Sequence, residues 1–409
     1  MTIDISSPLT LPCGVSVKNR IAKAPMTEGL ADEMNRATAR HETLYRKWAE
    51  GGAGILVTGN VQVDRRFLER PGNVVIDQNG GIEELRAFAA AGTANNTLLL
   101  MQIGHAGRQT PRRVNPQPVA PSEIPLALPD SAFGRPRALS AEEVEDVVAR
   151  FAHVARIAKE TGFSGVQVHG AHGYLISEFL SPLANQRRDK WGGPLENRAR
   201  LLREVVQAIR QVVGPDFPIS VKLNSSDFQN GGFSHEDCLR VVKWLEEDTV
   251  DLLEISGGNY ENPAMMIGGR GADEIKGTTI AREAYFMDYA ANIREATTVP
   301  LMVTGGFRTR AAMDAALLEG NVDFIGIGRP MCVDTDAPNQ LLANKEAEAI
   351  AYEQSIKPSK GALGWFCLNI IRHADGLDAD KNMTGGDAIN AYLVNEENTA
   401  AALIDRRLD

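Results

Sequence analysis

The 409-residue sequence predicts an α/β fold, a (β/α)8 TIM barrel with an N-terminal hairpin and a C-terminal helical extension. Three observations lead there. Eight short β-rich runs end at Gly, Pro, Asn or Ser; amphipathic helical stretches alternate with them; and the first run is followed by Ala24-Pro25-Met26-Thr27-Glu28-Gly29. Alternating strands and helices favour parallel pairing. An open doubly wound sheet, the alternative, would normally carry a G-x-G-x-x-G turn after its first strand, and this sequence does not.

Taken in order, Leu9-Thr10-Leu11, a turn at Pro12-Cys13-Gly14 and Val15-Ser16-Val17 form the expected hairpin. Strands are expected at 20–24, 54–58, 98–103, 165–169, 218–223, 250–255, 301–304 and 322–327. The 3.6-residue apolar period predicts helices over 37–51, 81–92, 141–161, 195–213, 235–247, 282–297 and 309–319. Ser140 precedes Ala141-Glu142-Glu143 as a capping box, its hydroxyl free to accept a backbone N–H while Glu143 reaches back. Two stretches depart from the alternation. Residues 111–136 are proline-rich but carry apolar side chains throughout, which predicts an ordered excursion; residues 257–277, with Met265, Met266 and several glycines, read as a lid-type loop. Beyond Pro330, Trp365, Phe366 and the Ala-rich 388–403 predict helices packed on the barrel. The whole is expected to be one domain over 1–409, the barrel occupying about 18–335 and the extension about 336–409.

Composition narrows the function classes. A net charge of −10 argues against a nucleic-acid partner, because such proteins usually present a basic patch. Hydrophobic residues at 43% and charged residues at 23% suit a globular protein with ample surface to bury. Cys13, Cys238, Cys332 and Cys367 are too scattered for a paired metal motif, an iron–sulfur cluster or a disulfide framework. Met1 to Ser7 carry an acid and hydroxyls rather than a basic stretch before an apolar run, and no run is long enough for a membrane span. The cytoplasm is the expected compartment, with no membrane partner and no resident metal; a homo-oligomer is left open.

The chemistry gathers where the strands end. His169, His172 and Tyr174 follow the fourth strand, and the carboxyl ends of barrel strands are where active sites are built. The seventh and eighth strands end in Gly305-Gly306 and Gly328-Arg329, a pattern suited to phosphate, since glycine lets backbone N–H groups approach the oxygens. Thr27, Gly59, Gln102 and Lys222 end the first, second, third and fifth strands. A hydroxyl, an amide and a cation around one mouth suit a planar heterocycle such as the isoalloxazine of FMN, and a cation would stabilise its reduced, negatively charged form.

The strings Lys18-Asn19-Arg20-Ile21, Pro25-Met26-Thr27 and Gln102 with His105-Ala106-Gly107-Arg108 resemble the Old Yellow Enzyme family of FMN-dependent ene-reductases. So does the run from His169-Gly170-Ala171-His172-Gly173-Tyr174 through Phe179-Leu180-Ser181-Pro182 to Trp191-Gly192-Gly193-Pro194-Leu195-Glu196-Asn197-Arg198. The likeness covers about residues 5–335. It implies tightly but non-covalently bound FMN, reduced transiently by NADH or NADPH at the same open face in ping-pong fashion, and an electron-poor alkene as the small-molecule substrate. By the same likeness Ala24, Pro25, Met26 and Thr27 contact the flavin, and Gly59, Gln102 and His169 lie under or beside it. Lys222 sits at its pyrimidine end, and Gly305, Gly306, Gly328 and Arg329 hold the phosphate. His169 and His172 would hydrogen-bond the substrate's carbonyl or nitro oxygen, and Tyr174 would supply the proton. The chemistry suits these types: two imidazole donors can stabilise a developing oxyanion, and a phenol stays protonated at neutral pH. Many relatives carry arginine where Lys222 stands, and one branch carries cysteine where Thr27 stands, which leaves the subclass open.

Other readings of the same residues remain. His169 and His172 could ligate zinc, although a catalytic zinc needs a third protein ligand. Lys222 could be the Schiff-base lysine of a phosphate-binding aldolase barrel, and a flavin-storing or ligand-binding barrel is the non-enzymatic alternative.

Overall fold

The computed structural model describes residues 3–128, 132–261, 287 and 289–403. Eight strands close a parallel barrel: β1 (Ile21–Lys23), β2 (Ile55–Val57), β3 (Leu98–Gly104), β4 (Gly165–Gly170), β5 (Ile219–Asn224), β6 (Leu252–Ser256), β7 (Leu301–Thr304) and β8 (Phe324–Ile327). Each strand hydrogen-bonds to the next around the ring, β8 closes on β1, and β3 pairs with β4 to complete it. Each lies within two residues of its expected range, because β-rich composition and flanking turn residues mark strand centres better than strand ends.

Side-chain alternation and register decide what fills the interior. Ala22, Ile55, Val57, Leu98, Leu100, Leu252, Met302 and Phe324 form an apolar lower layer with Leu11 and Val17. Leu11 follows the short strand Leu9–Thr10 and Val17 ends its antiparallel partner Ser16–Val17, so this N-terminal hairpin is the barrel's floor. Two residues beyond Leu100, Leu252 and Met302 the same inward face turns polar, at Gln102, Glu254 and Thr304. Gln167 pairs with Gln102, His169 with Lys222, and Lys222 with Glu254. Register alone thus gathers the polar groups into one layer at the carboxyl ends.

The helices cover the outside. The helix Ala141–Thr161 has the bounds expected of it, and its capping box forms: Ser140 Oγ accepts from Glu143 N at 3.2 Å, and Glu143 Oε2 accepts from Ser140 N at 2.8 Å. The single helix expected over 195–213 is two, Leu195–Arg198 and Arg200–Val213. Arg198 anchors the first turn by donating to Gly193 O at 3.1 Å and to Leu180 O, while Leu201, Leu202, Val205 and Ile209 of the second lie against the barrel. Residues 289–296 are helical within the helix expected over 282–297. Residues 262–277 of the lid-type loop lie outside the described residues. The proline-rich excursion is ordered where described, with Val119–Ala120 pairing in parallel with Arg137–Ala138.

The C-terminal segment adds the helices Ala362–Ala374 and Gly385–Ala402. Tyr352, Ile356, Trp365, Phe366 and Ile370 belong to the same apolar core as Trp48 and Met331 of the barrel. A buried ion pair, Arg70 Nε to Glu396 Oε1 at 2.5 Å, ties the last helix to the loop after the short strand Val61–Gln62. Among the described residues no helix is long and apolar enough to cross a membrane.

Candidate functional site

The polar layer is a hydrogen-bonded chain. Gln102 Nε2 donates to Gln167 Oε1 at 2.8 Å, and Gln167 Nε2 donates to Glu254 Oε2 at 2.9 Å. Lys222 Nζ and Thr304 Oγ1 both donate to Glu254 Oε1 at 2.8 Å. Glu254 is 0% exposed, so its charge is balanced by Lys222 and its lone pairs by three donors. A side chain on Gly326, next door, would come within 2.0 Å of Thr304 Oγ1, and glycine there lets Thr304 reach the carboxylate.

Above this layer stand His169, His172 and Tyr174. His169 Nδ1 accepts from Ala171 N at 3.3 Å, which assigns the ring proton to Nε2 and leaves that nitrogen a donor. Its ring packs edge-on against Tyr174 at 4.8 Å and His172 at 5.2 Å between centroids. His172 and Gly173 both take left-handed backbone, φ 63° and 77°. His172 N donates to Asn224 Oδ1 at 3.2 Å and His172 O accepts from Gln109 Nε2 at 3.0 Å, which holds that conformation; a side chain on Gly173 would meet Gln109 and Asn259 at 2.8 Å. His172 Nε2 lies 2.6 Å from Ser256 Oγ, so its Nδ1 is the nitrogen left for a ligand. Burial, reinforced by Lys222, pushes both imidazoles well below the usual histidine range. Burial, with Tyr260 nearby, pushes the Tyr174 phenol well above its ordinary value. The trio is therefore neutral. Tyr174 Oη lies 2.9 Å from Tyr260 Oη.

Thr27 closes another side. Its hydroxyl donates to Glu69 Oε2 at 2.8 Å and accepts from Asn60 Nδ2 at 3.4 Å. Ala24 and Met26 come close to Gly328, and Met26 Sδ lies 3.1 Å from Cys332 Sγ. Gly59 N donates to Glu28 Oε1 at 2.8 Å, and a side chain on Gly59 would strike Glu28 and Met26 O. Beneath Ala24, Lys23 is wholly buried, donates to Val57 O at 2.7 Å and sits 4.4 Å from the Trp48 ring; burial draws its ammonium down to about 8.

At the ends of β7 and β8, Gly305 and Gly306 adopt φ 158° and 56°. Arg329 Nη1 lies 3.4 Å from Glu353 Oε1, and Arg308 Nη2 lies 2.7 Å from the same oxygen. Two guanidinium groups meeting on one oxyanion is a geometry that also suits phosphate. The structure thus joins Gln102 to Lys222 through Gln167 and Glu254, His169 to His172 and Tyr174, and Ala24 and Met26 to Gly328. The residues fit FMN: Gln62 Oε1 is a buried acceptor with no hydrogen-bond partner among the described residues, Gly305, Gly306 and Arg308 follow β7, and Arg329 follows β8.

Sequence reasoning missed Gln167, Glu254, Glu69, Tyr260 and the part played by Arg308. Glu254 had a signal, a lone charge within Leu252-Leu253-Glu254-Ile255, where a strand buried on both faces should read as apolar throughout. Tyr260 had none, since its meeting with Tyr174 spans 86 residues.

Comparison with known proteins finds relatives by sequence and by fold. Residues 4–348 match the model of the NADH:flavin oxidoreductase / NADH oxidase family. A NADH-dependent flavin oxidoreductase of Neonectria sp. (strain DH2) is 38% identical over 363 residues, covering 83% of this chain; the chain spans 47% of that relative's length. A NADPH dehydrogenase of Bacillus pumilus (strain SAFR-032) is 32% identical over 345 residues, 83% of this chain and 94% of its own. Among solved structures, a 2-naphthoyl-CoA reductase in complex with 2-naphthoyl-CoA has a TM-score of 0.80 at 26% identity, covering 91% of this chain and 58% of that one. An old yellow enzyme homologue from Zymomonas mobilis, TM-score 0.71 at 24% identity over 85% of this chain and 95% of its own, shares the fold.

Proposed function

The chain belongs to the NADH:flavin oxidoreductase / NADH oxidase family, FMN proteins reduced by NADH or NADPH, and from that membership we propose that it is an ene-reductase. Its substrate class is the α,β-unsaturated carbonyl or nitro compound. The observation that carries the reading is the neutral His169, its Nδ1 occupied by a backbone donor and its Nε2–H without a partner among the described residues, packed against the protonated Tyr174.

When bound, FMN supplies the carrier that takes hydride from NAD(P)H and gives it to the alkene β-carbon. The chain's own residues do the rest. Ala24, Pro25, Met26, Thr27, Gly59, Gln102, His169 and Lys222 would hold the ring, and Gly305, Gly306, Gly328 and Arg329, with Arg308, the phosphate. His169 Nε2 and His172 Nδ1 would bind the substrate oxygen as neutral donors where charge develops. Tyr174 would deliver the proton to the α-carbon. Residues 1–409 are proposed to act as one domain, since side chains of the extension and the barrel share a core.

The rival reading, a Schiff-base lysine, needs an amine aimed at a carbonyl, whereas Lys222 points at Glu254. Stopped-flow kinetics of Tyr174→Phe tests the proposal. Alkene reduction is expected to slow by roughly a hundredfold or more, the usual worth of a positioned proton donor, with flavin reduction by the nicotinamide little changed. Equal slowing of both half-reactions would remove Tyr174 as the donor.

A further inference from the structure

We propose that Glu254 is a positioning residue that, through its ion pair with Lys222, sets how much positive charge the barrel presents to the reduced flavin. The inference rests on the FMN reading above.

Glu254 Oε1 accepts from Lys222 and Thr304 at 2.8 Å each, and Oε2 accepts from Gln167 at 2.9 Å. Gln167 in turn orients the amide of Gln102. One carboxylate thereby fixes the direction of both side chains that edge the proposed ring site. It also changes their electrostatics. An isolated buried ammonium acts on a neighbouring anion as a full charge, whereas an ammonium 2.8 Å from a buried carboxylate acts as one end of a dipole, whose influence falls off faster. A solvated lysine would be screened by water, but here Lys222 and Glu254 side chains are 7% and 0% exposed. Packing alone accounts poorly for the pair, because apolar residues of similar volume would fill a barrel interior without the cost of desolvating two ions. An arginine could fork to a carboxylate and a ring edge together; a lysine is a point charge whose aim must be set by its partner.

The test compares wild type with Glu254→Gln, which keeps the shape and removes the charge. Flavin released by denaturing the purified protein is measured first; its absence from wild type overturns the FMN reading itself. In flavin-loaded E254Q, equilibration with a redox dye should show the reduced:oxidised ratio shifted toward reduced flavin by roughly tenfold or more, the scale of one unit charge several ångströms away at an effective dielectric near 20. An unchanged ratio in fully loaded E254Q overturns the proposal. Should E254Q not fold, Lys222→Gln and the double variant K222Q/E254Q read the same coupling. K222Q leaves the carboxylate unopposed and shifts the ratio toward oxidised flavin, and the double variant recovers most of that shift. A double variant that stays where K222Q stands, or fails to fold where a single variant folds, overturns it.

Discussion

Tyr174 does not face the mouth alone. Its phenol oxygen lies 2.9 Å from that of Tyr260, which arrives from the loop after β6, and their rings meet edge-on at 5.9 Å. Burial keeps both phenols protonated far above neutral pH, so the pair can share a proton without either ionising. Tyr260→Phe removes one hydrogen bond and leaves the aromatic packing. Alkene reduction is expected to slow about three- to tenfold, the equivalent of about 1 kcal/mol of lost hydrogen bonding, with flavin reduction by NADH unaltered. Single-turnover kinetics of the two half-reactions would show it, and a larger loss in flavin reduction would mean that Tyr260 guides the nicotinamide instead.

At the scale of elements, the strands were legible because each is a short β-rich run ending in a turn residue, and parallel strands buried on both faces read as continuous apolar segments. His169, His172, Tyr174, Thr27, Gln102 and Lys222 stood out as candidate site residues for the same reason, as polar residues just where those runs stop. What the sequence could not reveal is pairing across the barrel. Lys222 was read as a cation awaiting a ligand, and the register of β5 on β6 gives it Glu254. Arg329 was read as a phosphate donor, and Glu353, 24 residues on, shares it with Arg308. Gln167 was hidden between Val166 and Val168, where nothing local distinguishes a side chain facing the interior from one facing the helices.

The last helix shows the same dependence on distant partners. Glu396 is 2% exposed and meets Arg70, while Arg70 Nη1 also approaches Thr27 O at 3.4 Å. Arg70→Ala leaves the carboxylate buried without its closest cation, a change expected to cost roughly 3–5 kcal/mol locally. Limited proteolysis should then cut near 385–402 well before the barrel, and cleavage at an unchanged rate would show that the helix is held by apolar packing alone.

For the whole molecule, the burial of so many neutral imidazoles sets an acid limit. His41 and His105 are drawn down to about 4, chiefly by burial, and His169 and His172 lie well below the usual range. Between about pH 6.5 and 4 the unfolded chain takes up protons that the folded chain does not, so stability is full above about 6.5 and falls as the pH drops. Every pH step of one crossed in that window costs about 1.4 kcal/mol for each histidine that stays neutral in the fold. Urea unfolding across this window should show a steep decline, lessened in His105→Gln; a flat profile would mean that these rings are protonated in the fold.

The hairpin of residues 9–17 carries a consequence for traffic. By seating Leu11 and Val17 against the lower layer, it makes the barrel a vessel with a solid base, filled and emptied over the same rim. On the proposed function, reductant and oxidant would take turns on one doorstep, and an excess of either would keep the other waiting. On that reading the rhythm of turnover would be set at the end farthest from the chemistry.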